Sequence, residues 1–81
     1  MEPDFLYYEQ GVIKYHNRDY SEAITLFNRQ ILKTPEFHKA FLYLGHSKFV
    51  LGDITGACLD WKKSRELGNG EAEKFISKYC R

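Results

Sequence analysis

Cysteine and proline are scarce in this chain of 81 residues, and neither positive nor negative charge is in large excess. Two cysteines are too few for a disulfide framework. The chain has 12 basic and 11 acidic side chains, so it lacks the positive field that holds a nucleic-acid backbone. No apolar run approaches the roughly 18 residues of a membrane-spanning helix. These absences predict a protein that binds neither nucleic acid nor membrane.

The chain also lacks the marks of a secreted protein. Its first residues, Met1-Glu2-Pro3-Asp4, are acidic where a signal peptide is basic, and no Asn-x-Ser/Thr acceptor for glycosylation occurs. We therefore expect a reducing, cytoplasmic compartment. In that setting Cys58, on an apolar helix stripe, should be a small buried hydrophobe, and Cys80 should lie at a frayed chain end.

Aromatic residues and helical periodicity are abundant. Six Phe, six Tyr and one Trp make up 16% of the chain, and large rings can stabilise a small core. Apolar residues recur at three- and four-residue steps after Asp19, after Asp53 and from Ala72 onward, which is typical of amphipathic helices. Two further helices are expected at about 4–17 and 37–51. No segment alternates like a strand, so the sequence predicts an all-α fold of five helices.

The expected helix starts carry capping residues. Asp19 and Glu22 form a capping-box pattern, and Gly52 with Asp53 supplies a helix stop followed by a cap. Thr34-Pro35 supplies a cap and a pre-set first turn for the third helix.

The chain repeats itself after 34 residues, the period of one helix-turn-helix repeat family. At that shift Gly11 falls on Gly45, Ala23 falls on Ala57, and the aromatic Phe27 falls on Trp61. A glycine on one helix and an alanine on its partner let the two helices cross closely, and the aromatic residues fill the space on either side. Residue by residue, the sequence resembles the tetratricopeptide repeat (TPR) family, and residues 60–72 also look like the related Sel1-like repeats. The positions that match the family, together with the aromatic that begins a third partial repeat, are Tyr7, Gly11, Tyr20, Ala23, Phe27, Pro35, Phe41, Leu44, Gly45, Ala57, Trp61 and Phe75.

This resemblance implies one domain over residues 1–81. Two helix-turn-helix repeats, 4–37 and 38–71, would form a right-handed stack, and residues 71–81 would form a capping helix over the second hairpin. The resemblance also implies a concave groove that holds a partner peptide. The surplus apolar stripes of the first and third helices predict its lining: Phe5, Tyr8, Val12, Tyr15, His16, Lys39, Leu42, His46, Phe49 and Val50. Alternatively, the capping helix and packing between repeats cover part of this stripe, with Tyr15 and Phe49 the first to be partly buried.

No arrangement of residues points to catalysis. The three histidines lack the helical spacing of a zinc site, no Cys-x-x-Cys occurs, and the six glycines form no phosphate loop. We expect no enzyme activity, no metal and no cofactor. The leading interpretation is a protein-interaction module, and the alternative is a self-assembly module that uses the same apolar face. Binding of single-stranded RNA, as in the similar pentatricopeptide proteins, is a weaker third interpretation because two repeats would read only two bases.

One TPR subgroup captures acidic chaperone tails with a clamp of Lys, Asn and Arg. The corresponding places here hold Tyr8, Val12 and Tyr43, so the resemblance implies no binding of such tails.

Overall fold

The computed structural model describes residues 4–81, and this part of the chain folds into five α-helices without any strand. Their bounds are α1 Leu6–His16, α2 Tyr20–Lys33, α3 His38–Val50, α4 Ile54–Glu66 and α5 Ala72–Tyr79. The predicted all-α fold of five helices is confirmed. The acidic opening Met1-Glu2-Pro3 lies outside the described residues. No helix within 4–81 combines the length and the apolar character needed to cross a membrane.

The helices pack as two antiparallel pairs and a final single helix. α1 packs on α2 to form the first hairpin, and α3 packs on α4 to form the second hairpin. α2 contacts α3 between the hairpins, α1 also touches α3, and α5 packs on α4. Within residues 4–81 the second hairpin therefore has helices packed on both sides, whereas the first hairpin has a helix packed on one side.

A glycine and an aromatic ring lock each hairpin at the same place. A Cβ atom added to Gly11 would lie 2.6 Å from Cε1 of Phe27, and one added to Gly45 would lie closer still to the indole of Trp61. Both rings are almost completely buried. Each glycine is thus required by the close approach of its partner helix, and the contact recurs at the repeat spacing seen in the sequence.

A second repeated contact ties the end of each hairpin to its beginning. Gln30 in α2 donates from Nε2 to the carbonyl of Asp4 at 2.8 Å, and Ser64 in α4 donates from Oγ to the carbonyl of His38 at 2.7 Å. Gln30 also accepts the Tyr8 amide at its Oε1, at 3.0 Å. Both polar side chains are fully buried. Each hairpin therefore has a buried hydrogen bond at the equivalent place, although the donor is Gln30 in the first hairpin and Ser64 in the second.

The loops within the hairpins repeat as well, but their caps depart from the prediction. Arg18 and Gly52 both have a positive φ, of 67° and 90°, at equivalent positions. Asp53 caps α4 as expected, since its Oδ1 accepts the Gly56 amide at 2.9 Å. The predicted capping box at Asp19 is wrong, because its side chain makes no cap bond and Glu22 instead pairs with Lys14 at 2.9 Å. At α3, Phe37 occupies the N-cap position rather than Thr34 or Pro35.

The two cysteines form a disulfide, which corrects the prediction of a buried free thiol and a frayed end. The Cα atoms of Cys58 and Cys80 lie 5.7 Å apart, across a sequence separation of 22 residues. The physical reason is the path of α5, which folds back along α4 and returns the end of the chain to the middle of that helix. Sequence reasoning treated Cys80 as unattached and so could not pair it.

The residues predicted to build the repeat core fall into three groups. Gly11, Gly45 and the four residues Ala23, Phe27, Ala57 and Trp61 are buried. Tyr7, Tyr20, Phe41 and Phe75 are half-buried. Pro35 is exposed, because it lies in the turn between α2 and α3 and packs on neither helix. The core is therefore centred on the two glycine–aromatic contacts.

Candidate binding face

One face of the molecule is built from aromatic residues of α1, α3 and α5. We call it the aromatic face and define it by Tyr8, Tyr15, Tyr43, His46, Phe49, Phe75 and Tyr79. These residues lie on the first helix of each hairpin and on the last helix. Only Tyr15 and Phe49 occupy equivalent places at the 34-residue spacing. Trp61 of α4 forms the floor beneath them and is 1% exposed.

The rings of this face touch one another from one end of the molecule to the other. Tyr8 meets Tyr43 with ring centroids 5.9 Å apart, and Tyr43 meets His46 at 5.5 Å. His46 meets Phe75 at 4.6 Å. The series then continues through Trp61 to Phe49 and Tyr79, the last two only 4.4 Å apart. Such edge and tilted contacts are favourable and hold the rings in fixed positions.

Two clefts open on this face. One, of about 400 Å³, lies between α1, α3 and the turn before α5 and is lined by Tyr8, His38, Lys39, Leu42, Tyr43, Asn69 and Glu71. The other, of about 270 Å³, is lined by Tyr15, His46, Phe49, Val50, Trp61, Phe75 and Tyr79. The first has a charged rim, whereas the second is almost wholly aromatic. Together the two clefts can accommodate apolar side chains of a bound molecule.

His46 stands between the two clefts and is held neutral. Its Nδ1 accepts a hydrogen bond from the indole Nε1 of Trp61 at 3.2 Å. Burial disfavours the imidazolium and lowers the pKa of His46 to about 4, and Lys74 lowers it further while Glu71 opposes the shift. Because Nδ1 accepts, the neutral ring carries its proton on Nε2.

The hydroxyls of Tyr8 and Tyr15 remain protonated at neutral pH. Burial raises the pKa of Tyr8 to about 12, with smaller contributions from Tyr43 and Glu71. Burial also raises the pKa of Tyr15, helped by Tyr20 and Tyr43. At neutral pH these groups can donate as well as accept hydrogen bonds, so each offers an oriented polar tip on an apolar ring.

Seven of the ten predicted groove residues line the two clefts, whereas Phe5, Val12 and His16 line neither. The ten are also unequally accessible. His16, Lys39 and Val50 are exposed, whereas Phe5, Tyr8, Val12, Tyr15, His46 and Phe49 are half-buried. Phe5 stacks on Phe37 at 4.4 Å. Leu42 is only 5% exposed, because α5 lays Ala72 and Ile76 over it. Part of the predicted lining thus belongs to the core, as the alternative of cover by the last helix predicts.

Sequence reasoning missed several residues of this site. Asn69 and Glu71 line the first cleft from the turn before α5, and Tyr79 lines the second cleft from α5 itself. The available signal was the four-residue step from Phe75 to Tyr79, which places both rings on one side of a helix. A third cleft, of about 510 Å³, was also missed; it lies between α1 and α2 around Ile13, Leu26 and Arg29.

The described residues show no gathering of catalytic groups. Within residues 4–81 no three side chains of His, Cys, Asp or Glu come together as a metal ion would require. The most buried charged pair is Lys48 with Asp60, whose Nζ and Oδ2 atoms lie 2.8 Å apart. Burial raises the pKa of Asp60 while Lys48 opposes the shift, and the pair joins α3 to α4.

Comparisons with models of protein families, with curated proteins and with solved structures found no match to this chain. The resemblance to tetratricopeptide repeats therefore rests on the residues of the sequence alone and stays a prediction.

Proposed function

We propose that this chain is a non-catalytic protein-interaction module of the tetratricopeptide type. It would hold a segment of another protein against its aromatic face. The observation that carries the proposal is the continuous series of ring contacts from α1 to α5, which leaves two clefts open to water. Half-buried aromatic rings in fixed positions can take up apolar side chains at low cost in conformational entropy.

The chemistry of the face defines the partner segment. Apolar side chains would enter the two clefts, and the hydroxyls of Tyr8 and Tyr15 would bond to its backbone. The clamp positions hold Tyr8, Val12 and Tyr43, so no cluster of cations there offsets the desolvation of a carboxylate. The segment we propose is therefore apolar rather than an acidic tail.

Self-assembly through the same face is the second candidate. Its support is the small size of the chain, since arrays of repeats usually need about three units to be stable and this one has two hairpins and one helix. Light scattering at high concentration separates the candidates: a stable dimer favours self-assembly, and a monomer favours an open groove.

The cytoplasmic location expected from the sequence stays a prediction. The Cys58–Cys80 disulfide is a bond that persists chiefly in oxidising compartments, which argues against that expectation.

Selection of peptides from a displayed random library tests the proposed function. The matched variants are Val50→Lys in the second cleft of the aromatic face and Leu32→Lys on α2, since both residues are exposed apolar groups near the end of a helix. We expect a selected peptide to lose roughly tenfold or more in affinity for Val50→Lys, about 1.4 kcal/mol, and to bind Leu32→Lys like the parent chain. Equal losses in the two variants, or failure to select any peptide, would contradict the proposal.

A further inference from the structure

A cleft of about 240 Å³ opens beside the disulfide. Its lining residues are Ile54, Thr55, Cys58, Leu59, Lys62, Tyr79 and Arg81. This lining carries two cationic side chains, Lys62 and Arg81, and no acidic side chain. Neither cation forms an ion pair with another residue of 4–81. The disulfide is thus reached through a small, positively charged opening.

The disulfide anchors the far end of α5. Cys80 directly follows the last residue of this helix, and its amide donates to the carbonyl of Ile76 at 2.9 Å. At the near end, the side chain of Asn69 accepts the Glu71 amide at 3.0 Å and fixes the preceding turn. A helix of eight residues does not persist by itself in water. The position of α5 therefore depends on its packing and on these two anchors.

The packing of α5 is small but central to the aromatic face. Ala72 and Ile76 are buried against Leu42 and Trp61, and Phe75 packs on the same cluster. Phe75 also supplies the ring that meets His46, and Tyr79 supplies the ring that meets Phe49. Loss of α5 would remove both rings from the face and uncover Leu42 and the indole of Trp61.

We propose that the charged cleft is a site of thiol–disulfide exchange for a small anionic thiol, and that reduction there releases α5 and remodels the aromatic face. The control of partner binding rests on the proposed function, whereas the exchange and the release of α5 do not. Lys62 and Arg81 attract an anionic thiol and stabilise both the attacking and the departing thiolate.

The reaction proceeds in two exchanges. A thiolate of the small thiol attacks Sγ of Cys58, which lines the cleft, and Cys80 leaves as a thiolate that takes up a proton. A second thiolate then attacks the sulfur of the small thiol in the mixed disulfide, and Cys58 leaves and is protonated. Two small thiols are oxidised to one disulfide, and the protein disulfide is reduced to two thiols. Air-free transfer of the reduced chain to the oxidised small thiol reverses both steps.

Hydrogen exchange of the full chain, followed by mass spectrometry, tests the release of α5 without any partner. We expect the amides of 72–79 to exchange roughly tenfold faster or more in the reduced chain than in the oxidised chain. Amides of α2 should change far less, and the double variant Cys58→Ser/Cys80→Ser should behave like the reduced chain. The single Trp61 gives a second readout, since its fluorescence should shift as the indole becomes exposed. Equal exchange in α5 before and after reduction would overturn the release.

Rates of reduction test the charged cleft. Glutathione is an anionic thiol and cysteamine a cationic one, so their rates are compared after correction for thiolate concentration. We expect Lys62→Glu to slow glutathione several-fold and to speed cysteamine, with both effects weakened by salt. The control Lys33→Glu makes the same change of charge on α2 and should alter neither rate. Equal effects of the two variants would overturn the exchange site.

A peptide selected on the oxidised chain separates this inference from the proposed function. If peptide binding changes on reduction, the disulfide controls binding at the aromatic face. Equal binding to the oxidised and reduced forms would overturn that part of the inference. If α5 is released on reduction but no peptide can be selected on either form, the proposed function fails and the exchange site stands.

Discussion

The two hairpins have the same glycine–aromatic contact but different neighbouring helices. Ala40, Leu44 and Ser47 of α3 are buried, since α2 covers them. Their equivalents on α1 at the repeat spacing are Leu6, Gln10 and Ile13, all of which are exposed because no helix within 4–81 precedes them. Burial in this fold is therefore decided by the neighbouring hairpin as much as by the residue itself. The same difference should control how each hairpin responds to mutation.

The largest expected effect comes from filling the glycine contacts. Gly45→Leu should destabilise the chain by about 3 kcal/mol or more, because the added side chain overlaps Trp61 and the second hairpin is packed on both sides. Gly11→Leu should cost less, since Phe27 belongs to the hairpin with an open side. Chemical denaturation measures both free energies of unfolding. An equal cost, or a larger one at Gly11, would contradict the role assigned to the neighbouring elements.

Breaking the disulfide should have the next largest effect. In the chain-entropy view, a bond closing a loop of 22 residues stabilises by about 3 kcal/mol. The variant Cys58→Ser/Cys80→Ser should lose stability of that order, and the loss should fall on the second hairpin and α5. Hydrogen exchange resolved by segment makes this visible, because α1 should keep its protection at mild denaturant concentrations. Uniform loss across both hairpins would show that they unfold as one unit.

Acid should destabilise the second hairpin through His46. The equivalent of His46 in the first hairpin is Val12, so only one hairpin carries a titratable group here. The pKa of His46 is lowered from its ordinary value of 6.5 to about 4 by burial, and a lowered pKa means that protonation favours the unfolded chain. Stability is therefore intact above pH 6.5 and is lost as the pH falls from 6.5 toward 4. For this half-buried group, partly screened by water, the loss is about 2 kcal/mol.

The variant His46→Val serves as the control, because valine is the residue at the equivalent position of the first hairpin, Val12. It should flatten the dependence of stability on pH between 6.5 and 4, at the cost of the hydrogen bond from Trp61. Thermal unfolding followed at several pH values checks this. The prediction fails if the parent chain and the variant lose stability equally over that range.

The helices and the close helix crossings at Gly11 and Gly45 could be predicted from the sequence because they depend on residues at fixed spacings. The group opposite each glycine could not, since the sequence suggested an alanine and the structure places the rings of Phe27 and Trp61 there. The disulfide could not, since it depends on α5 folding back along α4, and no local pattern states where a terminal helix comes to rest. The groove was predicted as a helical stripe, which is local, but the burial of Leu42 depends on Ala72 and Ile76 thirty residues away in the chain. The capping box failed for a related reason, because Lys14 on the neighbouring helix competes for Glu22.

The smallest single effect should come from Ser64→Ala, one of two substitutions at the buried polar contact that each hairpin makes with a different residue. Ser64→Ala removes one buried hydrogen bond to the His38 carbonyl, which should cost about 1 kcal/mol. Gln30→Ala leaves both the Tyr8 amide and the Asp4 carbonyl without their partner and also creates a cavity, so it should cost about 2 kcal/mol or more. Denaturation midpoints of the two variants give the comparison. Gln30→Ser would place in the first hairpin the residue type that the second hairpin has at the equivalent position, Ser64. If Gln30→Ser is as stable as the parent chain, the longer side chain of Gln30 contributes nothing beyond what a hydroxyl group supplies. The first hairpin would then not require a glutamine at this position.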